Sequence, residues 1–432
     1  MSEQSFVRAE MLGEKSPPSS QVDIVKWVMS NLFSSIPNAI MTILSVWAVY
    51  YVLSGVLPWV FQSSWNATSL KGCRASIVEA YGEGTGGACW SVIRERWKQL
   101  LFGFYPKELY WRPVLALILL FVAISPILYA KLPRKIMLFS MVYPFVGFYL
   151  LWGGSIWLPI VAAAGFVIAY LAIVTLPKLA GSLAATIAAG VLPVLFWVFA
   201  AGPLISGLNS IAPIGIESID SDQMGGFMLS LTIGITGIAL SLPIGVLLAL
   251  GRQSPLFVVK TICVVFIEFI RGVPLITLLF VASVLLNYFL PPGTSFDLVL
   301  RVIIMVTLFA SAYMAEVIRG GLAALPKGQY EAADALGLDY WKSTRLIIMP
   351  QALKVSIPNI VSNFIGLFKD TTLVSIVGLL DPMGLSRAIL ADQNWNGIVW
   401  EIYAFIAVLF WIFTFSMSRY SMYLERKLAT GH

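Results

Sequence analysis

Long apolar segments, most of them without a charged residue, recur throughout this chain of 432 residues. Residues 36–61, for example, contain no Lys, Arg, Asp or Glu. A bilayer has a hydrocarbon core about 30 Å thick, and a helix needs roughly twenty apolar residues to cross it. Overall, 59% of the residues are hydrophobic and 12% are charged, which lies well outside the range of soluble domains. The chain is therefore predicted to be an all-α integral membrane protein.

The apolar segments predict about ten transmembrane helices in two regions. They lie near residues 36–61, 113–130, 136–152, 157–175, 183–202, 225–250, 272–290, 299–318, 355–378 and 400–418, with a shorter, partly polar helix at 256–271. Residues 1–35 form a polar tail that buries too little apolar surface to fold alone. We expect an N-terminal membrane region at 36–202 with an external insertion at 62–112. An external linker at 203–224 then leads to a five-span core at 225–425.

The distribution of positive charge predicts the orientation of the spans. In the core, most basic residues fall on one side: Arg252, Lys260, Arg271, Arg319, Lys327, Lys342, Arg345, Lys354, Arg419, Arg426 and Lys427. That side is expected to be cytoplasmic, together with the polar loop at 319–350, the Lys131–Lys135 turn and the N-terminus. Counting spans places the insertion outside, although it carries seven basic residues. The net charge of +6 fits this asymmetry and indicates no nucleic-acid partner.

The cysteines bear on both metal binding and topology. Three cysteines and a single histidine, His432, exclude a metal site built from thiolates and imidazoles within this chain. Cys73 and Cys89 both lie in the insertion, and four glycines between them give the chain freedom to close. If the insertion is external, the two can form a disulfide; if it is cytoplasmic, they remain thiols.

One polar stretch in the core has a specific spacing. From Glu331 to Pro350 it reads EAADALGLDYWKSTRLIIMP, which fits E-A-A, three residues, G, nine residues and I-x-L-P, with Met349 in place of Leu. This pattern resembles the loop by which membrane subunits of ABC importers dock onto their ATPases. The resemblance implies ATPase coupling through Glu331, Ala332, Ala333, Gly337, Ile347 and Pro350.

The residues of this loop also predict its local structure. Glu331, Ala332 and Ala333 can open a short helix with the acid in its first turn, where the helix dipole favours it. Gly337 supplies a backbone break before a second helix from Tyr340. The alternative to a docking loop is an ordinary helix-turn-helix connection between two spans.

Further segments resemble the polar amino-acid uptake permeases of ABC importers. They are EFIRGVPLITLLF from Glu268, AYMAEVIRGGLAALPKGQYEAADALGL from Ala312 and LFKDTTLVSIVG from Leu367. In the N-terminal half, NLFSSIPNAIMTIL, GACW, FGFYP and WRP are similar to the large permease subunit of general L-amino-acid importers. The resemblance implies a type I importer core in a bacterial inner membrane.

The resemblance also implies the partners: a second homologous permease, two ATPase subunits and a periplasmic amino-acid-binding protein, besides the lipid bilayer. The sequence contains no G-x-x-x-x-G-K-[ST] phosphate loop. We therefore expect this chain to bind no cofactor, to catalyse no reaction itself, and to leave ATP and Mg²⁺ to its partner ATPases.

Charged residues inside apolar segments are candidates for the substrate path, because a charge within a bilayer is costly. Lys369 and Asp370, beside Thr371 and Thr372, offer an ammonium and a carboxylate to the two charged ends of an amino acid. The alternative is that Lys369 and Asp370 pair and only fix packing.

Glu268 and Arg271 lie where Gly272 and Pro274 predict a broken helix, and Glu316 lies near the end of the third core span. These three are also candidates for the path, against the alternative of an interfacial salt bridge.

The predicted function is the ATP-driven import of L-amino acids, of broad or polar range, from the periplasm to the cytoplasm. One alternative is an ion-coupled secondary transporter, which would carry paired intramembrane acids in two repeated halves; no such repeat occurs here. An ABC permease for another small solute and a non-transporting membrane anchor are the remaining alternatives.

Overall fold

The computed structural model describes residues 24–129, 132–133, 135–285, 288 and 297–428. Most of the predicted tail, residues 1–23, and Lys131 of the predicted turn lie outside this part of the chain. The chain divides into two compact units, Met1–Ser91 and Val92–His432.

From residue 24 onwards, the first unit contains three helices, α1 (Ile24–Asn31), α2 (Ile36–Phe61) and α3 (Leu70–Tyr81). Ser35 caps α2 by accepting a hydrogen bond from the Asn38 N–H, and Ser69 caps α3 in the same way. Residues 24–31 of the predicted polar tail are therefore helical, and their sequence, IVKWVMSN, is largely apolar.

The second unit begins with the rest of the N-terminal half. Its helices are α4 (Ser91–Phe102), α5 (Trp111–Leu128), α6 (Ile136–Trp152), α7 (Trp157–Thr175), α8 (Pro177–Leu195) and α9 (Ala201–Ile211). Strands β1 (Gly154–Ser155) and β2 (Gly215–Ile216) form a short antiparallel ribbon with Gly154 opposite Ile216. Helix α9 extends nine residues into the predicted linker 203–224, so the linker begins later than the sequence indicates. Pro203 is accommodated because a π-helical turn at Phe196–Ala200 precedes it and shifts the backbone hydrogen bonds.

The core follows as α10 (Gly226–Arg252), α11 (Phe257–Gly272), α12 (Leu275–Phe280), α13 (Leu298–Ala323), α14 (Lys327–Ala335), α15 (Tyr340–Ser343), α16 (Met349–Asp370), α17 (Pro382–Leu390) and α18 (Trp400–Leu428). The predicted break at Gly272 and Pro274 is present, since Phe257–Gly272 and Leu275–Leu285 meet at 103°. Pro274 lacks the N–H that would continue the first helix.

Among the described residues, eight helices are long and apolar enough to span a membrane, or nine if the bent pair is one span. The predicted third segment is the apolar helix α6, which has only 17 residues. Together these account for the ten predicted segments, which are helical in their described parts apart from the break at Val273 and Pro274 and single residues at segment ends.

Glycines let the core helices approach closely. On α10, Gly234 faces the ring of Phe368, Gly237 faces Val306 and Leu367, and Gly245 lies where a Cβ would stand 2.7 Å from Met314 Cβ. These glycines are three and eight residues apart and therefore share one face of α10. That face packs on α13 and α16, as small residues allow in membrane helices.

Candidate functional site

The loop between α13 and α16 folds as two short helices with a bend. Helix α14 ends in a Schellman motif, in which the Leu338 N–H donates to the Ala333 carbonyl (3.2 Å) and the Gly337 N–H to Asp334 (2.9 Å). Gly337 has a φ of +67°, a left-handed conformation that favours glycine. The predicted backbone break at this residue is therefore confirmed.

The second helix of the loop begins at Tyr340, as predicted. Asp339 caps it by accepting a hydrogen bond from the Lys342 N–H at 3.0 Å, and its carboxylate also lies 3.0 Å from the Lys342 ammonium. These contacts, first the backbone hydrogen bond and then the side chain, hold the pKa of Asp339 below its usual value. A π-helical turn at Thr344–Ile348 then leads into α16.

The position of Glu331 corrects one expectation. Helix α14 starts at Lys327, directly after Pro326, so Glu331 lies in the second turn and does not open the helix. A proline fits just before the first helical residue, where no N–H is needed, and the sequence argument had overlooked this start signal. The helix dipole consequently favours the carboxylate of Glu331 less than predicted.

The predicted coupling residues differ in exposure. Ala333 is buried, Ile347 is half-buried, and the side chains that remain open to solvent are those of Glu331, Ala332 and Pro350, beside the exposed Gly337. Four large apolar side chains that were not among the predicted coupling residues are also more than half exposed: Leu336, Tyr340, Trp341 and Leu346. An exposed apolar and aromatic patch of this kind is typical of a protein-binding surface.

A cluster of charges ties together three spans at the end of the core from which this loop departs. Glu316 of α13 receives Arg252 at 2.8 Å, Arg319 at 3.0 Å and Arg271 at 3.6 Å. Arg252 also binds Glu268 at 2.8 Å. We call these five residues the Glu316 cluster. It joins the ends of α10, α11 and α13, and its carboxylate centre is only 15% exposed.

The structure thus brings Glu268, Arg271 and Glu316 together, and adds Arg252 and Arg319 as partners. The sequence indicates a partner for Arg252 through its position at the end of an apolar segment, because a single cation there can form a salt bridge with a neighbouring helix. None of these five residues lines the cavity described next, although the Arg271 guanidinium lies 5.6 Å from the ring of Tyr313, which does.

A polar cavity of about 280 Å³ lies between α10, α13 and α16. Its polar lining consists of Ser241, Tyr313, Ser362, Asn363 and Asp370. This volume is at the lower edge of the range for small-molecule sites. A carboxylate beside hydroxyl and amide groups can bind an ammonium and the oxygens of a small zwitterion.

Lys369 and Asp370 point to different faces of α16. Asp370 lines the cavity, whereas Lys369 is exposed on the outer face of the helix. No ion pair joins the two among the described residues. The hydroxyls of Thr371 and Thr372 donate back to the carbonyls of Phe368 and Lys369, at 2.8 and 2.9 Å, and so close the end of the helix.

The first unit places Cys73 and Cys89 in a disulfide, with Cα atoms 5.9 Å apart. Backbone hydrogen bonds join the same region to the end of α2, from the Ala88 N–H to Trp59 (2.8 Å) and from the Ser64 N–H to Ala88 (3.1 Å). The described residues contain no group of three or more His, Cys, Asp or Glu that could hold a metal ion.

Known proteins resemble this chain over its whole length. Residues 241–430 match the family of the binding-protein-dependent transport system inner membrane component. The glutamate/glutamine/aspartate/asparagine transport system permease protein BztC of Rhodobacter capsulatus is 57% identical, with 100% of both chains covered. The inner membrane amino-acid ABC transporter permease protein YhdY of Escherichia coli is 40% identical, over 94% of this chain and 93% of that protein.

Among solved structures, the crystal structure of an amino acid ABC transporter with histidines aligns with 46% of this chain and 91% of its own, at 28% identity and a TM-score of 0.42. The assignment to a family rests on the two relatives that match nearly the whole chain. The chain belongs to the family of binding-protein-dependent inner membrane components, as a multi-pass permease subunit of an amino-acid ABC importer, which works with ATPase and binding-protein partners.

Proposed function

We propose that this chain and a second permease of the same fold enclose a path for glutamate, glutamine, aspartate and asparagine from the periplasm to the cytoplasm. The observation that carries the proposal is the polar cavity between α10, α13 and α16, with Asp370 in its lining. All four amino acids share an α-ammonium, which Asp370 would bind, and a side-chain carbonyl, which Asn363 or Tyr313 would bind. The printed specificity of the relative at 57% identity supports this range.

The second permease is supported by the outer face of α16. Asn359, Ser362 and Lys369 are exposed at intervals of three and seven residues, and this spacing places them along one side of the helix, where Ser362 also borders the polar cavity. Polar side chains on a membrane helix face a partner or a water-filled path rather than lipid. A partner helix across this face would complete the path and give Lys369 a role toward the substrate carboxylate.

The partner ATPases, in two copies, would dock on the loop 319–350. Its exposed patch of Leu336, Tyr340, Trp341 and Leu346 offers the apolar anchors, and Gly337 shapes the bend between the two helices. The basic residues of this side support a cytoplasmic position for the loop. Binding of ATP and Mg²⁺ would bring the two ATPase subunits together and so move the loop 319–350. The Glu316 cluster would keep the ends of α10, α11 and α13 together while they move with the loop.

Uptake by proteoliposomes that contain the assembled complex and the binding protein tests the proposal. We expect labelled glutamate to accumulate only with internal ATP and Mg²⁺, and unlabelled aspartate, glutamine and asparagine to compete. Arginine and leucine serve as comparison solutes and should compete weakly. Ionophores that collapse ion gradients should leave the uptake intact. Uptake that an ion gradient drives without ATP, or equal competition by leucine, would reject this function or this range respectively.

A further inference from the structure

A second cavity lies within the spans, away from the polar one. It has a volume of about 610 Å³ and separates α5 and α6 of the N-terminal half from α10 and α13 of the core. Its wall is almost wholly apolar and includes Ala116, Leu120, Phe148, Ile235 and Leu308. None of the charged residues of the candidate path lines it.

The rim of this cavity belongs to the outer surface of the spans. Val114 of α5, Leu240 of α10, and Leu300 and Ile304 of α13 line the cavity and are each more than 40% exposed. Exposed apolar side chains on spanning helices face the hydrocarbon of the bilayer. The cavity is therefore a groove continuous with the surface that the membrane covers.

The polar groups of the groove exclude water as its occupant. The Thr232 hydroxyl already donates to the Met228 carbonyl at 2.8 Å, and the Tyr143 hydroxyl donates to the Ala116 carbonyl at 2.9 Å. Thr307 is 4% exposed, and its hydroxyl has no hydrogen-bond partner within the described part of the chain. Each buried water needs two to four polar partners, and the hydroxyls of Thr236 and Thr307 do not supply them for a groove of about 610 Å³. The same argument excludes a polar amino acid.

We propose that this groove binds an acyl chain of a membrane phospholipid. A flexible hydrocarbon chain matches the apolar wall, and the bilayer presents such chains at the rim. An empty groove of this size would forfeit the dispersion contacts of its lining. The bound acyl chain would fill the space between the helices of the N-terminal half and those of the core. Because it would bind the folded protein and not the unfolded chain, it would stabilise the packing of these helices.

The test counts the phospholipids that the purified complex retains in detergent, by native mass spectrometry. Thr236 lines the groove on α10, and Thr236→Phe fills it. The added ring takes the room of about two methylene groups, so retention of phospholipid is expected to fall about tenfold. Leu247→Phe, on the same helix but 64% exposed and outside the groove, is the matched control and should retain lipid as the wild type does. Thr307→Val removes the unpaired hydroxyl at nearly constant volume and should also retain lipid.

A second measurement follows thermal unfolding while dioleoyl phosphatidylethanolamine is added. The unfolding temperature should rise for the wild type and for Leu247→Phe, but not for Thr236→Phe. If the phenylalanine variant fails to assemble, Thr236→Leu takes its place with the same expectation. Equal lipid retention by the wild type and the filled variant would overturn the proposal. A wild-type complex that retains no lipid would overturn it as well, since a partner helix would then occupy the groove.

Discussion

Asp370 is the one carboxylate among the described residues that line the polar cavity. A charged hydrogen bond between it and a substrate ammonium would contribute about 1.5–3 kcal/mol. Its neighbour Lys369 projects to a different, exposed side of α16, and no salt bridge joins the two among the described residues. The two residues can therefore be tested separately.

Replacing Asp370 with Asn should raise the apparent substrate requirement for transport by about 10–100-fold, because one charge-assisted contact is lost. Assembly with the ATPase should stay intact, and copurification from detergent measures it. Glu79→Gln, on the exposed face of α3, removes one negative charge elsewhere and is the control.

The double change Lys369→Met with Asp370→Leu tests whether the two charges are needed for transport or only for the structure. It removes both charges and should preserve the amount of protein in the membrane, while amino-acid transport stays low. Uptake at the wild-type rate by this double variant would remove both residues from the substrate site. Poor membrane abundance of Asp370→Asn alone would instead indicate that Lys369 and Asp370 support each other structurally.

Two adjacent glycines of α13 predict contrasting effects on stability. A Cβ on Gly321 would lie 2.0 Å from Ser356 Oγ and 2.6 Å from the Ala352 carbonyl, whereas a Cβ on Gly320 would meet nothing within 4 Å. Gly321→Ala should lower the free energy of unfolding by about 1–3 kcal/mol through overpacking. Gly320→Ala should leave it unchanged or raise it by up to about 1 kcal/mol, because alanine favours the helix. Thermal unfolding of the purified complex measures both, and equal effects would contradict the packing of α13 on α16.

At this scale the sequence identified which charges lie inside spans, because a lone Lys or Asp in an apolar run is conspicuous. It could not tell that Asp370 faces the cavity and Lys369 does not. That difference depends on the rotation of α16 against α10 and α13, which is set by glycines such as Gly237 whose contacts are distant in sequence.

At the scale of elements, the loop 319–350 combines a fixed bend with an exposed apolar surface. The bend depends on the left-handed conformation of Gly337, which a residue with a branched Cβ adopts at a cost of about 1–3 kcal/mol. Space is no obstacle, since a Cβ at this position would meet nothing within 4 Å. Backbone geometry alone therefore restricts this position.

Gly337→Val should keep the protein in the membrane and abolish substrate-stimulated ATP hydrolysis, because the two short helices would no longer hold the same angle. Gly207→Val in α9 is the matched control, since Gly207 is helical and also has open space around it. The hydrolysis of ATP by the assembled complex is the measurement. Normal stimulation in Gly337→Val would show that the bend is dispensable for coupling.

The sequence predicted the second helix of this loop correctly because Gly337 is a strong local signal for a break before it. It misplaced the first helix because Pro326 sets the start and the Glu-Ala-Ala triplet does not. The exposure of Trp341 and Leu346 was beyond sequence reasoning, since apolar residues in a membrane protein are ordinarily assigned to spans or packing.

At the scale of the whole molecule, the side of the membrane on which the 62–112 insertion lies decides the topology. Counting spans from the cytoplasmic loop predicts that the insertion is external, whereas its basic residues favour the cytoplasmic side. The Cys73–Cys89 bond of the structure belongs in an oxidising compartment.

Intact cells that express a Cys263→Ser variant provide the test. A membrane-impermeant thiol reagent should label the protein only after a reductant has been added. Labelling without reductant would show an external loop with free thiols. Labelling that requires permeabilised cells would place the loop inside and change the number of spans.

Composition and the spaced pattern from Glu331 to Pro350 predicted the fold class and the family, because both are encoded locally. The contacts that unite distant segments were not predictable in the same way. Glu95 and Arg96 of α4 bind Trp395 and Asp392, about 300 residues later in the chain.

These contacts mean that the permease core does not form a separable module. Trp395 is fully buried, and its indole N–H donates to Glu95 at 3.2 Å. The backbone of Gly225 lies against Gly103, where no side chain would fit. A shortened chain that began at Gly225, designed to imitate the smaller permeases of the family, would uncover a tryptophan and strand Asp392 without its arginine. Anyone who trims this protein for expression should therefore keep residues 92–110 or replace the surface that they cover.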